Sequence, residues 1–133
     1  MTNRALFYIQ ALLLALIAIV HAFALMHDLY WYYPLLNRAA HFSGGLWVAL
    51  ATIWLLAHLA REFRFVRVMT IVVLVSIAWE IFEVAIGMTH EQNYVLDTSL
   101  DLIMDTLGGM CGFFIARRMV QSRNNGSQES NPS

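Results

Sequence analysis

Three aspartates, Asp97, Asp101 and Asp105, recur every four residues in an otherwise apolar stretch. On a helix that interval places the three carboxylates on one face. Two glutamates, Glu80 and Glu83, stand three apart in the motif WEIFE of another apolar run. They share a helical face with Ser76 and Gly87. His41 opens a third run, three residues after Arg38 and shortly before Gly44 and Gly45. Carboxylates with an imidazole can bind a divalent cation, share a proton, or act as general acid and base. In an apolar helix such groups are costly, and each needs a partner, a proton, an ion or water. Five carboxylates beside a single Arg38 cannot all stay ionised uncompensated. Either several hold protons or a divalent cation is bound.

The elements that would position these groups are membrane-length helices. The chain has 133 residues, 59% of them hydrophobic, with a mean hydropathy of +0.60, well beyond an ordinary soluble domain. Four long apolar runs, residues 5–26, 41–59, 66–86 and 99–116, can each cross a hydrocarbon core of about 30 Å. The runs are continuous rather than alternating, which argues against strands. The expected fold is all-α: a four-helix transmembrane domain over residues 1–120, followed by a disordered polar tail over 121–133. Arg4, the first run and Ala22-Phe23-Ala24 also fit a secretory signal, but the run is long for one. Net charge near −1 gives no case for nucleic acid, and the lone Cys111 cannot form an intrachain disulfide.

Arginine placement sets the orientation. With four spans, Arg4, Arg61, Arg64, Arg67, Arg117, Arg118 and Arg123 share one side, against Arg38 alone on the other. Both termini are therefore expected in the cytoplasm. Tyr30, Trp31, Tyr32 and Tyr33 suit an interfacial aromatic belt. Pro34 is expected to break any helix there.

Counting about 1.5 Å per residue from the cytoplasmic arginines gives depths. Glu80 then matches Asp105, Glu83 matches Asp101, and His41 matches Asp97, all in the outer half. The expected ion ligands are accordingly Glu80, Glu83, Asp97, Asp101, Asp105 and His41, lining one cavity with Asp105 at its floor. Glu80, Glu83, Asp101 and His41 are the candidate catalytic groups. Arg38, Gly44 and Gly45 are candidates for substrate contact, since the glycines allow close approach of a ligand or a helix. His21 and His27 are weaker candidates. Gly108, Gly112 and Ala116 form a small-residue face expected to draw the third and fourth spans together, with Cys111 as a packing residue.

These motifs carry a resemblance. Arg38-Ala-Ala-His41-Phe42 with Gly45, then Glu80-x-x-Glu83, then Tyr94-Val-Leu-Asp97-Thr98-x-x-Asp101 resemble YjdF-type inner-membrane proteins of bacteria. The layout is more distantly similar to VanZ-like membrane proteins, where Asn is usual at the position of Asp105 and Gln is common at that of Glu83. Those departures favour the YjdF type. The resemblance covers about residues 37–112 and implies fold and location rather than a reaction.

Three functions stay open. One is a membrane-embedded enzyme whose divalent cation serves a lipid-linked or small-molecule substrate. Another is a proton-coupled small-solute transporter. The third is a non-catalytic assembly or lipid-binding protein. The expected partners are the bilayer and a lipid or small molecule, with homo-oligomerisation open. Nucleophile motifs and phosphate-binding glycine loops do not occur.

Overall fold

A computed structural model describes residues 2–87 and 93–129, with side-chain surroundings described for 4–87 and 93–119. The order is α1 (Thr2–Met26), α2 (Leu29–Tyr32), α3 (Pro34–His58), α4 (Phe65–Ala85) and α5 (Tyr94–Glu129). No strand occurs among the described residues. Four helices are long and apolar enough to cross a membrane: Arg4–Met26, Pro34–His58, Phe65–Ala85 and Tyr94–Met119. Large apolar side chains face outward all over the bundle, Leu12, Val66 and Val95 among them. Water would penalise that surface, whereas lipid tails solvate it.

Pro34 does not break a helix but starts one. It sits in the first turn of α3, where its missing N–H costs nothing and its fixed φ suits the helix. The second span therefore begins two turns earlier than its apolar run, and His41 lies inside the helix rather than at its opening. At the other end of α3, Ala60 adopts φ 52°. Its N–H bonds to the Ala57 carbonyl, and the Arg61 N–H to the Leu56 carbonyl, a Schellman stop with alanine in glycine's place. The backbone of α5 stays helical to Glu129, well into the stretch expected to lack structure.

α3 and α5 form the central seam, and its closeness comes from glycine. A Cβ on Gly45 would run into the Asp105 carbonyl, and one on Gly108 into the Phe42 carbonyl. At Gly112 a Cβ would stand 2.6 Å from the Leu46 carbonyl oxygen. The small face of the last span thus packs on the second span, not on the third as expected. Only Gly109 turns toward α4, against Val72 and Met69. Cys111 faces outward.

Below the glycines lies an apolar core of Leu6, Ala49, Leu50, Ile53, Val68, Val72, Phe113 and Ala116. It takes residues from α1, α3, α4 and α5 and locks them together. The buried residues of α1, among those described, are only Leu6, Gln10 and Ala24. It is the outlying helix of the bundle.

Candidate functional site

Asp101 and Asp105 are one turn apart on α5, and the glycine seam brings both against His41 of α3. His41 Nδ1 lies 3.1 Å from Asp105 Oδ2, while Nε2 is 3.6 Å from Asp101 Oδ2. His41, Asp101 and Asp105 are all buried, Asp101 to 1% exposure. With its Nδ1–H donated to Asp105, the ring is held with Nε2 turned toward Asp101. A carboxylate that orients an imidazole in this way is the usual support of a metal-ligating histidine.

Glu80 reaches the same place from α4. Thr98 Oγ1 donates to Glu80 Oε2 at 2.8 Å, and Asn37 Nδ2 donates to Asp101 Oδ2 at 3.1 Å. Each carboxylate therefore has one oxygen held. The other oxygens, Glu80 Oε1 and Asp101 Oδ1, are buried without a hydrogen-bond partner. An unpaired carboxylate oxygen in a low-dielectric interior carries a large desolvation penalty. One candidate ligand atom from each of His41, Glu80 and Asp101 lies within 4.8 Å of the others. Two ligands on one cation, each about 2.0–2.6 Å from it, stand at most about 4–5 Å apart. The three residues are close enough to hold one ion.

The remaining expected ligands take other places. Asp105 is bonded to the far side of the His41 ring and supports it from there. Glu83 is half-buried and accepts from Trp79 Nε1 at 2.9 Å on its own helix. It still lies near enough to His41, Glu80 and Asp97 for their charges to act on it. Asp97 is half-buried one turn from Asp101. Gly45 is taken up by the Asp105 backbone, and Gly44 lies 3.7 Å, by its would-be Cβ, from Asp105 Oδ1. Arg38 is half-buried, and its Nε is buried with no partner.

The register differs from simple counting. Glu80 is level with Thr98 and Asp101 rather than Asp105, and His41 with Asp101 and Asp105 rather than Asp97. Counting from the arginines assumes parallel helices of equal tilt, which packed spans do not keep.

Three supporting residues were not read from the sequence. Asn37 is four residues before His41, so it shares His41's face once α3 is known to start at Pro34. Thr98 is part of the acidic motif, and Trp79 immediately precedes Glu80. A further contact closes the neighbouring loop. His21 Nδ1 and the Tyr30 hydroxyl lie 2.8 Å apart, and the His21 ring meets Trp79 edge-on at 6.0 Å. Burial, then the charge of Glu83, pushes the Tyr30 hydroxyl above its usual range, so it keeps its proton. Trp31, Tyr32 and Tyr33 are exposed, and His27 stacks at a tilt on Phe23.

A family described as "Predicted membrane protein (DUF2238)" matches residues 2–122, the family to which YjdF-like proteins are assigned. No curated protein and no solved structure matches the chain.

Proposed function

The chain belongs to the DUF2238 family of predicted membrane proteins, and from that premise we propose that it binds a divalent cation within the bilayer. His41 Nε2, Glu80 Oε1 and Asp101 Oδ1 are the ligands, and Asp105, Thr98 and Asn37 hold them in place. The reading rests chiefly on one observation. Two buried carboxylate oxygens lack partners beside an imidazole whose other nitrogen is already engaged. A cation satisfies both oxygens at once and offsets the charge of the surrounding acids. One imidazole among carboxylates favours Mn²⁺, Zn²⁺ or iron over Ca²⁺ and Mg²⁺. Glu83 and Asp97 are nearby but outside the ligand set.

The arginine asymmetry supports a site in the outer half of the membrane with both termini cytoplasmic, and the resemblance to YjdF-type proteins supports a bacterial inner membrane. Proton-coupled transport has less support. Between Asp105 and Arg117, α5 offers glycines and Thr106, whose hydroxyl is spent on the Leu102 carbonyl. The apolar core lies beside that segment. Elemental analysis of protein purified in mild detergent tests the proposal. About one equivalent of a transition-metal ion is expected in the wild type and far less in Asp101→Asn. Equal, trace metal in both would refute it.

A further inference from the structure

The opposite, arginine-rich end of the bundle carries a second candidate site, independent of the ion ligands. The connection from α3 to α4, residues 59–64, is a fixed turn. Besides the stop at Ala60, the Val68 N–H bonds to the Arg64 carbonyl, and Arg67 Nη1 donates to the Glu62 carbonyl at 3.0 Å. The Phe63 ring packs against the apolar core and meets Phe113 edge-on at 6.3 Å. This turn and the end of α3 form an open notch of about 460 Å³, a volume in the range of small-molecule sites. Ala57, Ala60 and Phe63 supply its apolar wall, and Arg61, Arg64 and Glu62 its charged rim. One membrane-crossing helix ends at the notch and the next begins there, so it stands at the level of the lipid headgroups.

The positive charge of the rim is not used by the protein itself. The Arg61 guanidinium is exposed and makes no hydrogen bond or ion pair among the described residues. Arg64 Nη2 lies 3.5 Å from Glu62 Oε2, with the two side chains 77% and 83% exposed, a pair worth little in water. Glu62 is the one acid among the described side chains at this end, against Arg61, Arg64, Arg67, Arg117 and Arg118. We propose that the notch binds the phosphate headgroup of an anionic phospholipid. Arg61 and Arg64, three residues apart on the rim, offer two guanidinium forks to the phosphate oxygens. Leu59 and Val66, both exposed, flank the turn and give the acyl chains an apolar surface to follow. A zwitterionic lipid brings its own cation toward the arginines, and a free phosphate leaves the apolar wall empty.

The full chain in mild detergent is titrated with phosphatidylglycerol and with phosphatidylcholine of identical chains, and bound lipids are counted by native mass spectrometry. The first phosphatidylglycerol is expected to bind about ten-fold more tightly than the first phosphatidylcholine. Arg61→Gln combined with Arg64→Gln, both at exposed positions, should erase that preference. Arg117→Gln combined with Arg118→Gln removes the same charge from the same end and should leave it intact, which separates a built site from diffuse attraction. Glycerol 3-phosphate in excess should not displace the lipid. In the wild type, a photoreactive phosphatidylglycerol should crosslink within residues 57–64, which line the notch, a readout that needs no variant. Equal affinity for the two lipids, equal loss in the two double variants, displacement by glycerol 3-phosphate, or crosslinks confined to other parts of the chain would each overturn the proposal.

Discussion

The two ends of the α3–α5 seam are built from the same pair of helices and obey opposite rules. At one end, Ala49, Leu50 and Ile53 meet Phe113 and Ala116 in a packed aliphatic core. At the other, His41 is pressed between Asp101 and Asp105 with Glu80 alongside. Gly45, Gly108 and Gly112 lie between and let both ends close. The difference teaches where stability and function are divided. The aliphatic end gains packing contacts and asks for nothing further. The polar end leaves two carboxylate oxygens unpaired, the two that the proposed cation would satisfy.

The largest effect should come from removing what the two ends share. Gly108→Leu drives a side chain into the Phe42 backbone, which cannot yield as a flexible side chain would. The loss should exceed the ~1–3 kcal/mol of ordinary overpacking. No monodisperse protein is expected on size-exclusion chromatography, and a well-behaved, ion-binding variant would show that the seam is looser than described.

Damage confined to the aliphatic end should separate the two. Ile53 is fully buried, and Ile53→Ala leaves a cavity. Because helices in lipid associate by packing rather than by expulsion of water, the cost should sit at the low end of the usual range, about 2 kcal/mol. Ion affinity should not change. A parallel fall in affinity, read by titration calorimetry, would mean that the ends are coupled.

Damage confined to the polar end should do the reverse. Asp105→Asn keeps a hydrogen-bond acceptor for His41 Nδ1 but removes the charge behind the ring. Loss of such a supporting carboxylate weakens metal binding about 10–100-fold, with little change in the ion-free melting temperature. Unaltered affinity would take Asp105 out of the supporting role.

The sequence made the polar end legible as a set but not as an arrangement. Acids at spacings of three and four in apolar runs mark Glu80, Asp101 and Asp105, because such residues survive in a span only with a purpose or a partner. Spacing assigns a face on one helix. It carries no information on how that helix is rotated or slid against its neighbour. Hence the proposed ligand Asp101 and its proposed support Asp105 look equivalent, and Glu83 looks as good as Glu80 until Trp79 is seen to hold it. Asn37 was hidden for a different reason. Proline serves both as helix breaker and as first-turn residue, and only the chain's path after Tyr33 decides between them. The glycines announced a close helix contact but not which helix would fill it.

The claim that the polar end is finished by a cation is tested most directly by thermal unfolding in detergent at neutral pH. The wild type, Glu80→Gln and Asp101→Asn are melted with Mn²⁺ or Zn²⁺ and again after chelation. At one hundred times the dissociation constant, the ion should stabilise the wild type by about 2.7 kcal/mol, and chelation should remove that gain. Neither variant should respond. If the wild type is equally indifferent to ion and chelator while acidification stabilises it, the carboxylates hold protons, and the cation site is refuted.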